Sequence, residues 1–151
     1  LSDFSKISIS KVFQLHNILI KDLGVDTGVR HRGVGITGTV YQPPDNQWQI
    51  KEALEKYIST TNKVKFPLEK ALITLAMISY IQPFADGNKR TSRMLSNAIL
   101  LANDFYPLSY RSVEETMYKK ALILFYEQNN LNDLKRIIID QYRFALNTYF
   151  K

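Results

Sequence analysis

The residues best suited to chemistry fall together in Gln82-Pro83-Phe84-Ala85-Asp86-Gly87-Asn88-Lys89-Arg90-Thr91-Ser92-Arg93. Asp86-Gly87-Asn88 is turn chemistry, and Lys89, Arg90 and Arg93 follow it in the first turn or so of what the next apolar residues mark as a helix. Cations are unfavourable there. The helix start already carries about half a positive charge from its unpaired amides, so each basic side chain costs roughly a few tenths of a kcal/mol. An anion reverses the sign: a phosphate held by loop amides, the helix end and guanidinium forks gains short charge-assisted hydrogen bonds, and Gly87 lets the backbone approach it. Arg90 and Arg93, three apart, point to one face. Asp86 is placed as the lone carboxylate that holds magnesium beside a polyphosphate, and Phe84 is expected in the core as the anchor of the loop. An interhelical turn with surface charges uses the same Asp-Gly-Asn stretch. The phosphate reading is preferred because all its ingredients lie within the eight residues from Asp86 to Arg93.

Positioning such a loop takes a helix on each side. "LEKALITLAMISYIQ" after Pro67 is apolar on most sides, as in a helix buried centrally in an all-helical domain, and it ends at Pro83. A second helix starts near Asn88 and runs through Leu95 and Ile99 towards Asn103-Asp104. Upstream, Ser8 or Ser10 caps a helix carrying Val12, Leu15 and Leu19, stopped by Gly24. "VRHRGVGITGTVYQPP" changes character: Val34, Ile36 and Val40 alternate with small residues around Thr37-Gly38, which predicts a short exposed hairpin closed by Pro43-Pro44. Ile50, Leu54, Tyr57 and Ile58 restore the helical period until a polar break at "STTNK". Ser112-Val113-Glu114-Glu115 has the spacing of a capping box for a helix through Ala121 and Phe125, and a last helix begins near "NLND" with Leu134, Ile138 and Tyr142. The fold class is all-α, five or six helices with one small β-hairpin, in a single domain over residues 1–151.

Length and composition agree. The chain has 151 residues, 45% hydrophobic and 12% aromatic, enough for one packed core. It has no cysteine, which excludes disulfides and thiolate metal sites. No apolar run approaches the ~18 residues that cross a bilayer, so no membrane is expected and a cytoplasmic location is the working assignment. The chain opens on Leu1 rather than Met, and a longer parent chain is the expectation. The net charge of +6 is scattered; without a basic stripe or a recognisable module, nucleic acid is an unlikely partner. Of the two histidines, His16 sits near an apolar helix face as a core or boundary residue, and His31 between Arg30 and Arg32 reads as surface.

The segment from Gln82 to Arg93 resembles the signature of the Fic (filamentation induced by cyclic AMP) domain family, His-Pro-Phe-x-Asp/Glu-Gly-Asn-Gly/Lys-Arg followed shortly by a second Arg. "VRHRGVGITGTVYQPP" is similar to the family's upstream flap. The resemblance implies an all-α core with a protruding hairpin. It implies an ATP whose AMP moiety moves to a Ser, Thr or Tyr hydroxyl of a target protein, although some relatives move other phosphate-linked groups. Carried across, Asp86 holds magnesium; Gly87, Asn88 and Lys89 form the anion hole; Arg90 and Arg93 meet the distal phosphates. The flap at Gly35, Ile36, Thr37 and Gly38 clamps the target segment as an added strand. Lys89 replaces the glycine of many members, a variant also seen in relatives acting as kinases.

One position departs from the pattern. The signature begins with the histidine that takes the proton from the attacking hydroxyl, and here Gln82 stands in its place. An amide has no usable basicity, and loss of a general base costs about 10²–10⁴ in rate. The expectation is an adenylyltransferase impaired at its base position. The alternative is a nucleotide-binding pseudoenzyme or regulatory module that keeps the phosphate loop and flap. Many family members also carry an inhibitory Ser/Thr-x-x-x-Glu-Gly/Asn helix; no Ser or Thr here has Glu four positions on. Either such an inhibitory segment lies outside these residues or Arg90 has no such partner; a toxin-type member held by a separate antitoxin chain would show the same absence.

Overall fold

Six helices carry the chain in the computed structural model, which describes residues 3–149: α1 (Ile9–Leu19), α2 (Gln47–Asn62), α3 (Pro67–Ile81), α4 (Asn88–Ala102), α5 (Glu115–Gln128) and α6 (Asn132–Thr148). Their starts follow local chemistry. The Ser8 hydroxyl accepts from Lys11 N at 3.2 Å, Asn46 Oδ1 accepts from Gln49 N at 3.0 Å, and Pro67 takes the first position of α3, where no amide is needed. α1 stops at Ile20, ahead of Gly24, which lies in the turn beyond it. α2 continues through Ser59-Thr60-Thr61, so the predicted polar break is its last turn, with Thr61 buried.

α3 is the axis. Nine of its fifteen residues are buried, which is why its apolar pattern has no polar face. Two apolar clusters meet along it. One joins Leu72 and Leu75 to Tyr118, Phe125, Leu134 and Ile138 of α5 and α6; the other joins Ile78 and Ile81 to Val12, Ile50, Leu54, Leu95 and Ile99 of α1, α2 and α4. Met77 and Tyr80 touch both. Among the described residues, no helix is long and apolar enough to cross a membrane.

Two local expectations are corrected. Among the described residues there is no strand: the predicted flap makes its turn at Thr37–Gly38, but its flanks do not pair with each other. They are held by the helices instead. Thr39 Oγ1 donates to Glu127 Oε1 at 2.8 Å and Tyr41 Oη to Tyr80 O at 2.8 Å, while the Arg30 guanidinium takes the carbonyls of Arg32 and Pro44, both at 2.7 Å. The capping box does not form either. α5 starts at Glu115 with no side-chain cap, because Ser112 Oγ accepts from Gln141 Nε2 of α6 and the Glu115 carboxylate is drawn to Lys89 and Arg93.

Candidate functional site

The loop between α3 and α4 is built from the inside by one asparagine. Asn88 Oδ1 accepts from Phe84 N at 3.0 Å, and its Nδ2 donates to Phe84 O at 2.8 Å and to Gln82 Oε1 at 3.2 Å. Phe84 is fully buried, as expected of an anchor. Gln82 caps α3 in the left-handed region at φ 49°, and Gly87 does the same ahead of α4 at φ 85°. The first amides of α4, from Asn88 onward, have no partner within the helix and open on the loop. The Asn88 side chain faces inward, so what it offers a ligand is its amide.

Two residues hold this loop from far along the chain, and sequence reading assigned neither to it. Arg30, expected at the surface, is 4% exposed. Its Nε donates to Gln82 O at 2.5 Å and Nη2 to Ile81 O at 3.3 Å, and its own amide donates to Pro83 O at 3.0 Å. A guanidinium thus closes the carbonyl end of α3, where the helix dipole favours a cation. Burial works against its charge, partly offset by Asp45. His16 from α1 is fully buried, stacks on Phe84 at 3.6 Å, and brings Nε2 within 2.9 Å of Asp86 O. Burial pushes its pKa below the ordinary value, Arg90 adding to the effect and the Asp86 carbonyl opposing it. His31 is exposed, as expected.

Two clefts open beside the loop and share Gln82 and Lys89. One, about 410 Å³, is lined by Val34, Gly35 and the loop from Ala85 through Arg90. The other, about 490 Å³, is lined by Ile36, Ser79, Glu115, Tyr118, Leu122 and Tyr126 among others. The structure therefore brings Gln82, Asp86, Gly87, Asn88, Lys89, Arg90 and Gly35 to one cleft and Ile36 to its neighbour. Thr37 and Gly38 line neither; Gly38 lies against Ile123 and Lys119. Arg93 is half-buried over the rings of Tyr110 (4.9 Å) and Tyr118 (4.5 Å), and its Nη2 lies 3.9 Å from the Glu115 carboxylate that also pairs with Lys89. That hydrogen bond from Lys89 holds the Glu115 pKa below the usual carboxylate range. Arg90 is exposed and makes no hydrogen bond or ion pair with the described residues.

Asp86 is the one carboxylate lining the smaller cleft. One of its oxygens accepts from Gly87 N at 2.6 Å, and the side chain is otherwise open to solvent. No cluster of three His, Asp or Glu side chains gathers among the described residues. A cation at Asp86 would draw its other ligands from phosphate oxygens and water, an arrangement one carboxylate fits and magnesium commonly adopts.

This fold and loop define a class. The chain belongs to the Fic/DOC family, whose model matches residues 6–100. It is 27% identical over 135 residues to the protein adenylyltransferase Fic of Nematostella vectensis, covering 87% of this chain and 31% of that protein. A probable protein adenylyltransferase of Aquifex aeolicus is 26% identical over 111 residues, covering 72% of this chain and 34% of that protein. The chain thus spans about a third of the length of these curated relatives. Among solved structures, Fic-1 (aa134–508) of C. elegans superposes with a TM-score of 0.79 at 22% identity, over 96% of this chain and 43% of that one. BepC of Bartonella tribocorum, solved with bound AMPPNP, gives 0.70 at 17% identity over 93% and 75%. The fold is that of Fic proteins.

Proposed function

We propose that this chain is a nucleotide-binding Fic core of a protein adenylyltransferase, with transfer impaired at Gln82. The carrying observation is the cleft of about 410 Å³ in which free α4 amides, an open Asp86 carboxylate, Lys89 and an unpaired Arg90 converge. That convergence suits a polyphosphate better than any neutral ligand. The neighbouring cleft, lined by Ile36, Leu122 and the Tyr118 and Tyr126 rings, offers an apolar wall to the rest of a nucleotide. Names of relatives that call them adenylyltransferases support AMP as the group moved. Magnesium, held by Asp86, would neutralise phosphate charge.

In transfer, a target hydroxyl oxygen bonds to the α-phosphorus, the bond to pyrophosphate breaks, and the hydroxyl proton goes to a base. Gln82 has no atom to take it. Its Nε2 donates to Ser79 O at 2.8 Å and its Oε1 accepts from Asn88, so both ends of the amide serve the loop. The same pair of bonds favours a second reading, a regulatory binding module that keeps the nucleotide without spending it. In either case Val34, Gly35 and Ile36 line the clefts, and Gly35 to Gly38 would be the docking edge for a target strand. An inhibitory segment or antitoxin chain is the remaining partner class.

Calorimetric titration with ATP and magnesium tests binding: Asp86→Ala and Arg90→Ala should each lose about tenfold or more. No heat from the unmodified chain overturns the nucleotide site. Labelled AMP incorporation into protein tests transfer. Gln82→His should raise it by about 10²-fold or more, and histidine accepts the left-handed backbone at position 82 more readily than glutamine. Equal incorporation by both chains sinks the impairment; ATP binding with no incorporation by Gln82→His selects the binding module.

A further inference from the structure

His16 does more than fill the core. Its ring is fully buried, stacked on Phe84 at 3.6 Å and 4°, and it sits 70 residues before the loop that it touches. A carbonyl only accepts, so the 2.9 Å contact to Asp86 O fixes the proton on Nε2 and leaves Nδ1 bare. Nδ1 is buried with no hydrogen-bond partner. Burying an unsatisfied polar atom is unfavourable, and a phenylalanine would give the same stack without one. What only the imidazole supplies is the directed N–H. That donor reaches the residue whose carboxylate opens on the phosphate cleft, and the ring edge also walls Gly87: a Cβ there would lie 3.5 Å from Nε2 and 3.6 Å from Cδ2. Asp86 is thus fixed at its carbonyl by His16 and at one carboxylate oxygen by Gly87 N, leaving the rest of the carboxylate turned to solvent.

We propose that His16 is a positioning residue of the nucleotide site: its Nε2–H holds the Asp86 carbonyl, and so orients the Asp86 carboxylate for the magnesium that accompanies the nucleotide. This rests on the nucleotide reading given above. His16 touches neither metal nor phosphate and acts through Asp86, as outer-shell partners of metal ligands do.

The test compares the full chain with His16→Phe, which keeps the stack and removes the donor, and His16→Gln, which keeps an N–H. ATP is titrated with magnesium and again in EDTA, melting temperatures are recorded, and amide hydrogen exchange at Gly87 is measured without ligand. Expected is a loss of about tenfold or more in magnesium-ATP affinity for His16→Phe. Its metal-free ATP affinity stays within about twofold, its Gly87 amide exchanges faster, and His16→Gln recovers most of the loss. If both variants lose melting temperature and both forms of binding together, His16 only packs the core and the proposal fails. It fails equally if His16→Phe binds magnesium-ATP like the unmodified chain. An unmodified chain that binds ATP in neither buffer overturns the nucleotide site, and this inference with it.

Discussion

Gly87 meets two demands that no other residue meets together. Its φ of 85° lies in the left-handed region, and a Cβ there would come within 3.2 Å of Ile20 Cγ2. Gly87→Ala should therefore destabilise the chain by about 1–3 kcal/mol and weaken ATP binding as the loop shifts. Urea unfolding and calorimetry read the two effects, and an unchanged midpoint would refute the strain. Arg30 sits in an opposite situation, a buried cation whose partners are all carbonyls. Arg30→Met leaves the carbonyls of Gln82, Arg32 and Pro44 without their donor, at a cost of about 3 kcal/mol. The same unfolding measurement checks it, with a loss well under 1 kcal/mol as the contrary result. The loop itself was legible in the sequence because its chemistry is local: a turn, a carboxylate and three cations within eight residues. Arg30 and His16 were not. Their partners lie 52 and 70 residues further on, and a basic or imidazole side chain beside apolar residues looks the same whether it meets solvent or a buried carbonyl.

The helices were the most readable part, since apolar spacing marks them and three, α1, α2 and α3, also start on a cap or a proline. The failures at this scale share a cause: a tertiary partner took a group that local chemistry had assigned elsewhere. Ser112 and Glu115 have capping-box spacing, yet α6 and α4 claim their side chains, and α5 begins two residues later than the box implies. The flap residues alternate as a strand should, but Arg30, Glu127 and Tyr80 hold their flanks to the helical body before a ladder can form. One consequence is a vacant cap. Glu114 precedes α5 at φ −68°, ψ 129°, a backbone suited to serine, and makes no capping bond. Glu114→Ser should stabilise the chain by about 1 kcal/mol, raising the melting temperature by roughly 2–4 °C. Ser8→Ala should lower stability by a similar ~1 kcal/mol, since the Ser8 hydroxyl already caps α1. Thermal melts of the two variants moving the same way would contradict this account of the caps.

At the scale of the molecule, the net charge of +6 is spread along the chain, while three of its cations, Lys89, Arg90 and Arg93, stand at one loop. They are not equally available. Glu115 partly neutralises Lys89 and Arg93, so the field over the smaller cleft comes chiefly from Arg90 and the open end of α4. Screening then acts on a few exposed charges close to the ligand rather than on a broad basic face. The Debye length falls from about 10 Å at 0.1 M to about 3 Å at 1 M salt. Over that range ATP affinity should weaken by roughly three- to tenfold, AMP by less, and adenosine hardly at all, because each phosphate adds charge where the loop amides and Arg90 converge. Titrations of the three ligands at both salt concentrations give the comparison directly. If adenosine weakens as much as ATP, the salt effect does not come from the phosphates and the charged loop is incidental to recognition. If ATP does not weaken, no charge at the end of α4 meets its phosphates.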